Sequence, residues 1–166
     1  MNKMQEIRIE KLSLNIGVGE AGEKLKKAKI LLERLAGVKP VETKGKKKIP
    51  TWGVRPGLPI GVKVTIRKNV DELLKRLIEA KEKIINKSSF TSSGVNFGID
   101  EYIYIPGMDY DPDLGIMGLD VSVVMSRPGA RITKRHLKTA SIGKRHIIKP
   151  EEAIKFMVDK YGVIVK

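Results

Sequence analysis

Two stretches of the chain alternate apolar and polar residues with the two-residue period of a half-buried β-strand. Residues 7–16 place their isoleucines and leucines on one face if one extra residue is inserted near Glu10–Lys11, as in a β-bulge. Residues 60–66 alternate isoleucine and valine with glycine, lysine and threonine. A further strand is predicted over 119–125, and shorter strands over 38–43, 97–99, 102–105 and 163–165. Pro40 predicts a sheet edge for its strand, because proline cannot donate a ladder hydrogen bond.

Apolar residues spaced three and four apart predict α-helices near both ends of the chain. The first covers residues 23–36, and Gly37 directly after it is a typical helix stop. The last begins at Pro150 and carries two glutamates in its first turn, where the helix dipole favours acidic side chains. Its predicted buried residues are Ile154, Met157, Val158 and Tyr161.

A middle helix is predicted after Asn69, which stands three residues before Glu72 in a capping-box pattern. Apolar residues continue at helical spacing to Ile84 and Ile85, so the helix is expected to extend to about residue 86. The serine-rich residues 87–96 are predicted to form a polar loop.

The two clearest strands keep polar residues on one face, among them Asn15, Lys63 and Thr65. Helices are expected to cover the opposite, apolar face and to leave this polar and basic face open. Such a platform suits RNA, which proteins recognise through backbone, 2′-hydroxyl and base contacts. With 166 residues and neither an internal repeat nor a linker, the chain is predicted to form one domain over 1–166.

Charge is large and unevenly distributed. The formal net charge is +14. Residues 24–48 hold ten Lys/Arg against two Glu, and residues 127–149 hold eight Lys/Arg and no acid. Between them, residues 88–126 hold six acids and no Lys or Arg. Two basic blocks around an acidic one favour a polyanionic partner. No apolar run approaches the length of a membrane span, and the absence of cysteine is compatible with a reducing cytoplasm.

The basic loop, residues 44–60, is the most informative candidate site. It contains consecutive lysines at 46–48, the single tryptophan Trp52, and Arg55 among three prolines. Cations beside one aromatic ring fit phosphates and an unstacked base. A buried Trp52 is the competing interpretation, and the sequence leaves both open. The basic arm, residues 127–149, is predicted to be mostly irregular and to set its cations against phosphates.

A glycine-rich turn offers an alternative function. Gly17–Gly22 match G-x-G-x-x-G between a strand and a helix, and Glu42 lies twenty residues beyond. A nucleotide-binding enzyme is therefore the alternative class. Against it, Glu20 stands where a pyrophosphate would bind, and no further β-α-β units follow. A tight strand-to-helix turn is the favoured interpretation.

Two other patterns resemble metal sites only in part. Acidic residues between Asp109 and Asp120 imitate calcium-loop spacing, but Leu114 stands where that loop requires glycine. A solvated acidic turn, or a surface for a basic protein, is favoured. His136 and His146 have neither cysteine nor a nearby carboxylate, so no metal site is predicted.

Five motifs in a fixed order resemble one protein family. They are LNIGVGE at 14–20, TWGVRPGLPIGVKVTIR at 51–67, NFGIDE at 96–101, YDP at 110–112 and RPGAR at 127–131. Over nearly its full length the chain is similar to the large-subunit ribosomal protein five family, the 5S-rRNA-binding proteins of the ribosome. The arm containing RPGAR resembles the archaeal and eukaryotic branch.

The resemblance implies an α+β fold, with an antiparallel β-sheet, helices packed on one face and RNA bound to the other. It implies a non-catalytic, structural constituent of the large ribosomal subunit that anchors 5S rRNA in the central protuberance. The expected partners are 5S rRNA, large-subunit rRNA, P-site tRNA and neighbouring ribosomal proteins, including a small-subunit protein at the subunit interface. A monomer within cytoplasmic ribosomes is expected, with no membrane, cofactor or metal.

Site residues follow from the matched motifs and from the charge pattern. The expected 5S rRNA contacts lie on the strands, the basic loop and the loop 89–96: Asn15, Lys44, Lys46, Lys47, Lys48, Trp52, Lys63, Thr65, Arg67, Ser89, Phe90 and Asn96. The expected tRNA contacts are Thr51, Trp52, Gly53, Val54, Arg55 and Pro56. The expected contacts with other rRNA are Arg127, Arg131, Lys134, Arg135, Lys144 and Arg145. Val38 stands where many relatives carry glutamine, so their polar RNA contact is not matched here.

Overall fold

A computed structural model describes residues 2–92 and 94–166 of the chain. Within these residues the fold is α+β, as predicted, and contains three α-helices and eight strands. The helices are α1 (Glu23–Ala36), α2 (Val70–Ala80) and α3 (Pro150–Tyr161). The strands are β1 (Arg8–Gly17), β2 (Val41–Lys44), β3 (Pro59–Ile66), β4 (Ile84–Ile85), β5 (Phe90–Thr91), β6 (Gly94–Ile99), β7 (Leu119–Ser126) and β8 (Ile164–Val165).

Six of the strands form one antiparallel sheet in the order β2-β3-β1-β7-β6-β5. β1 lies at its centre and pairs with β3 and β7 on its two sides. The pairing with β7 shifts register between Ile9 and Lys11, which confirms the predicted bulge. The shift keeps the apolar side chains of β1 on one face in spite of the break in alternation. β2 is an edge strand, as Pro40 predicted, although it begins at Val41.

The core lies between one face of this sheet and the helices. Leu12, Leu14 and Val62 are buried on the sheet side, and they pack in one apolar cluster with residues of α1, α2 and α3. α1 has its predicted bounds and ends at Gly37, whose φ of 63° is a left-handed conformation that glycine adopts without strain. On the opposite face, Lys63 of β3, Asn96 of β6 and Asp120 of β7 are exposed, and this face forms the candidate site.

The predicted extension of the middle helix to residue 86 is wrong, since α2 ends at Ala80. Glu82 and Lys83 have positive φ values of 54° and 62°, which break the helix. Ile84 and Ile85 form β4 and pair in parallel with β8 near the C-terminus. The predicted capping box is also absent, because Asn69 is itself left-handed and its side chain makes no cap hydrogen bond.

The predicted polar loop over 87–96 contains more structure than expected. β5 and β6 pair as a hairpin here, and the Phe90 side chain is buried. Ser93, within the predicted loop, lies outside the described residues. Residues 102–104 form a turn of 3-10 helix in place of the predicted strand. In α3, Ala153 is buried, whereas Val158, predicted as buried, is exposed.

Candidate nucleic-acid interface

The uncovered face of the sheet presents two rows of side chains that run across the strands. One row is Val41, Lys63, Asn15, Asp120 and Gly98, and the next row is Thr65, Ser13, Ser122 and Asn96. Each member is directly opposite its neighbour in the strand register, and Lys63, Asp120 and Asn96 are exposed. The structure therefore brings together Asn15, Lys63, Thr65 and Asn96, which come from three different strands. Hydroxyl, amide and charged groups in this arrangement suit phosphate and 2′-hydroxyl contacts.

Some members of this surface were missed by sequence reasoning. Ser122 and Asp120 alternate with the buried Val121 and Val123, so their parity within β7 could have placed them on the polar face. Ser13 follows from the parity of β1 in the same way. Apart from the backbone bonds of the sheet, the hydrogen bond described between members of the rows is a long one, 3.5 Å from Asn15 Nδ2 to Asp120 Oδ2, so most of these side chains have no partner within the rows.

The basic loop continues the polar face beyond the ends of β2 and β3. Its base is closed by the Gly45 N–H, which donates to the Leu58 carbonyl at 2.8 Å, and by the Gly57 N–H, which donates to the Gly45 carbonyl at 2.9 Å. Farther out, Ile49 and Val54 exchange two backbone hydrogen bonds, at 2.9 and 3.1 Å. These bonds give the loop a defined shape.

The lysines of this loop are available for an anion. Lys44 and Lys46–Lys48 are exposed, and in the described part of the chain none of the ion pairs involves them. Arg67, after the end of β3, is exposed and equally without an acidic partner there. Cations that form no internal ion pair are available to neutralise phosphates.

The tip of the loop contains one exposed ring and one buried anchor. Trp52 is 73% exposed, which rules out its alternative interpretation as a core residue. Thr51, Gly53, Arg55 and Pro56 are exposed with it. Val54, predicted as a tRNA contact, is only 5% exposed, because its side chain packs over Gly45, where an added Cβ would lie 2.9 Å from Val54 Cγ1. Val54 therefore supports the tip and does not offer its side chain to a ligand.

Phe90 and Ser89 lie farther from the solvent than predicted. The Phe90 ring, predicted as a 5S rRNA contact, is 6% exposed and belongs to the apolar core, so in this structure it does not offer a face to a base. Ser89 is partly buried in a turn of 3-10 helix.

The basic arm is attached to the fold at its root. Arg127, predicted as an rRNA contact, has a side chain that is only 10% exposed. Its Nη2 donates to Glu152 Oε1 at 2.8 Å and its Nη1 donates to the Arg145 carbonyl at 3.3 Å. His146 Nε2 lies 2.9 Å from the Pro128 carbonyl, and Ile148 is buried in the core. Arg127 thus holds the two ends of the arm together and is not free for RNA.

The remaining cations of the arm point outward. Arg131, Lys144 and Arg145 are exposed. Lys134 pairs with Glu10 at the bulge of β1, and this hydrogen bond lowers the pKa of Glu10. Arg135 Nε donates to the Lys138 carbonyl at 2.7 Å. Of the six arm residues predicted to contact rRNA, Arg131, Lys144 and Arg145 are therefore exposed and form no ion pair among the described residues, whereas Lys134 and Arg135 are partly engaged.

Asp111, one of the acidic residues between Asp109 and Asp120, has partners within the chain. Asp111 Oδ2 accepts a hydrogen bond of 2.6 Å from Arg34 Nη1, and this contact lowers the pKa of Asp111. Its other oxygen accepts from the Asp113 N–H at 3.0 Å.

Over residues 2–92 and 94–166, no three His, Cys, Asp or Glu side chains are grouped as a metal site would need. Neither does any helix there have the length and apolar character to cross a membrane.

The glycine-rich turn lacks the surroundings of a dinucleotide site. Gly17–Gly22 do connect β1 to α1, as the motif requires. However, the strand after α1 is β2, which pairs with β3 and not with β1, and both neighbours of β1 are antiparallel to it. The parallel β-α-β unit that holds a dinucleotide is therefore not formed around this turn.

Two family models match the chain along most of its length. The model described as Ribosomal protein L5 matches residues 2–55, and the model for the C-terminus of the same ribosomal family matches residues 59–156. This chain belongs to the ribosomal protein L5 family. The membership confirms the resemblance that the five sequence motifs indicated. The two L5 models meet inside the basic loop, which joins two strands of a single sheet.

Relatives within the L5 family cover almost the whole chain. The large ribosomal subunit protein uL5 of Nanoarchaeum equitans is 53% identical, over 96% of each chain. The uL5 of Sulfolobus acidocaldarius is 48% identical, over 99% of this chain and 93% of the relative. The uL5 of Methanobrevibacter smithii is 42% identical, over 98% and 97%. These archaeal relatives agree with the branch that the arm motif indicated.

Proposed function

We propose that this chain is a non-catalytic, structural protein of the large ribosomal subunit that holds 5S rRNA on the open face of its sheet. The observation that carries the proposal is the continuity of this face with the basic loop. Asn15 and Lys63 lie in one row across the strands, and Lys46–Lys48 follow beyond the sheet without acidic partners in the described residues. The lysines neutralise phosphates, while the amide and hydroxyl groups accept and donate at ribose edges.

The loop and the arm have separate roles in this proposal. The exposed Trp52 and Arg55 at the tip reach towards P-site tRNA, beyond the 5S rRNA platform. The free cations of the arm, Arg131, Lys144 and Arg145, bind large-subunit rRNA. The protein partners of the chain are neighbouring ribosomal proteins, including a small-subunit protein at the subunit interface. Residues 1–166 act as one domain, present as a monomer in each cytoplasmic ribosome, and require no cofactor.

Binding of labelled 5S rRNA over a series of salt concentrations tests the main proposal. Affinity is expected to fall steeply with salt, because each neutralised phosphate releases a counterion. The triple variant Lys46/Lys47/Lys48→Ala is expected to reduce the slope of log K against log salt by about 2. The matched control is Lys24/Lys26/Lys155→Ala, which removes three exposed lysines from helices α1 and α3. This control is expected to keep the wild-type slope.

Two results would contradict the proposal. Binding that does not depend on salt would show that phosphate contacts do not dominate. An equal loss of slope in both triple variants would show that net charge, and not the position of the loop lysines, determines binding.

A further inference from the structure

For most glycines of the chain, the fold itself explains why a side chain is disfavoured at that position. Of the sixteen, ten adopt positive φ values, and at Gly45, Gly61 and Gly118 an added Cβ would come within 3.0 Å of a neighbouring atom. Gly17, Gly98 and Gly143 meet neither condition. Their φ values are ordinary, and an added Cβ would find no atom within 4 Å at Gly17 and Gly143 and only Asp120 Oδ1, at 3.8 Å, at Gly98.

These three glycines all lie on the surface assigned to RNA. Gly17 is the last residue of β1, two positions after Asn15 on the same face and opposite Gly61 of β3. Gly98 of β6 stands opposite Asp120, in the row that contains Asn15 and Lys63. Gly143 directly precedes Lys144 in the basic arm. All three are exposed.

The fold alone does not account for glycine at Gly17 and Gly98. Glycine in a strand is less stable than alanine, because it loses more backbone freedom on folding. The free space around both positions would accept a methyl group. Glycine in a strand often marks a place where a ligand or another backbone approaches closely. Both positions therefore leave room on this face for the close approach of a ligand.

We propose that the ribose edge of the bound RNA packs directly on the main chain at Gly17 and at Gly98. This inference rests on the proposed function. At Gly98 the neighbouring group is the Asp120 carboxylate, which accepts a hydrogen bond from a 2′-hydroxyl but repels a phosphate. At Gly17 the neighbours on the face are the Asn15 amide and, one strand away, Lys63, which suit a 2′-hydroxyl and the adjoining phosphate. A side chain at either glycine would hold the ribose away from these groups.

The variants Gly17→Ala and Gly98→Ala test the inference with two measurements. Thermal unfolding is expected to show a midpoint equal to or above that of the wild-type chain, since alanine suits a strand better than glycine. Affinity for 5S rRNA is expected to fall about tenfold, as one methyl group overfills a close contact. The salt slope is expected to stay unchanged, because no cation is removed. The control Val158→Ile adds one carbon to an exposed position of α3 and is expected to change neither quantity.

The outcomes separate this inference from the proposed function. Wild-type affinity in an alanine variant, or a clear fall in its unfolding midpoint, overturns the inference for that position. If the wild-type chain binds 5S rRNA in a salt-dependent way and both alanine variants bind it with the same affinity as the wild-type chain, the inference fails and the proposed function stands. If the wild-type chain shows no salt-dependent binding of 5S rRNA, both fail.

Discussion

Arg127 and Glu152 form an ion pair of 2.8 Å that connects the start of the basic arm to the first turn of α3. The other oxygen of Glu152 accepts a hydrogen bond of 2.9 Å from the Lys149 N–H, and this contact lowers the pKa of Glu152. Arg127 also donates to the Arg145 carbonyl, near the end of the arm. One buried guanidinium thus joins both ends of the arm to the helix that follows it.

Replacing this guanidinium is expected to destabilise the fold. Arg127→Ala removes the ion-pair partner of Glu152 and creates a small cavity where the arginine side chain was. The free energy of unfolding should therefore fall by about 2 kcal/mol. Urea denaturation measures the change. The control Arg131→Ala removes an exposed arginine from the same arm and should stay within about 0.5 kcal/mol of the wild-type value. Equal effects of the two substitutions would contradict a structural role of Arg127.

The contact between α2 and α3 predicts a change of stability at alkaline pH. Burial, followed by the hydrogen bond that Tyr161 donates to the Asp71 carboxylate, raises the pKa of Tyr161. A raised pKa adds stability that is complete below the unfolded value of about 10 and is lost as pH rises above it. The difference in stability between the wild-type chain and Tyr161→Phe should therefore shrink above about pH 10. Denaturant unfolding at several pH values tests this, and a constant difference would refute it.

The same contact predicts a change in acid. The hydrogen bond from Lys160, at 2.7 Å, and then the one from Tyr161 lower the pKa of Asp71. A lowered pKa adds stability that is present above the unfolded value of about 3.9 and is lost as pH falls below it. Asp71→Asn should therefore be less stable than the wild-type chain near neutral pH and equally stable in strong acid. Denaturant unfolding at several pH values measures this, and a difference that persists unchanged into strong acid would contradict it.

Local patterns in the sequence predicted the elements that local forces determine. The bulge of β1 was visible as a break in alternation, and α1 was bounded by its apolar spacing and by Gly37. The end of α2 was not predictable in this way. Ile84 and Ile85 fit the helical spacing, but they pair with β8, about eighty residues later in the chain, and this long-range contact outweighs local spacing.

The same difference between local patterns and long-range contacts applies to the residues of the candidate site. Asn15, Lys63 and Thr65 were placed on one face by the period of their strands, and the structure agrees. Arg127 was assigned to RNA because it lies in a basic arm, although Glu152, twenty-five residues later, engages it. Counting charges cannot distinguish an exposed cation from a buried one with a distant partner. The sequence likewise left Trp52 undecided, because loop packing beneath it depends on Val54 and Gly45.

The tip of the basic loop should separate stability from binding. Trp52→Ala removes an exposed ring, so the free energy of unfolding should stay within about 0.5 kcal/mol of the wild-type value. Val54→Ala removes buried methyl groups and should cost about 1.5 kcal/mol. Because Trp52 is the single tryptophan, its fluorescence reports on the tip alone. Under the proposed function, tRNA added to the complex with 5S rRNA should quench this fluorescence, and an unchanged signal would argue against a tRNA contact.

Two glycines of β6 should respond to alanine in opposite ways. Gly94 has a φ of 153°, and an added Cβ would lie 1.9 Å from the Val123 carbonyl oxygen, so the neighbouring β7 backbone would have to move. Gly94→Ala should therefore lower the free energy of unfolding by about 3 kcal/mol. Gly98→Ala, four residues along the same strand, meets no such obstacle and should leave stability equal or slightly higher. Urea denaturation of both variants decides the point, since a similar loss at both positions would mean that β6 requires glycine for its own folding at Gly98 as well.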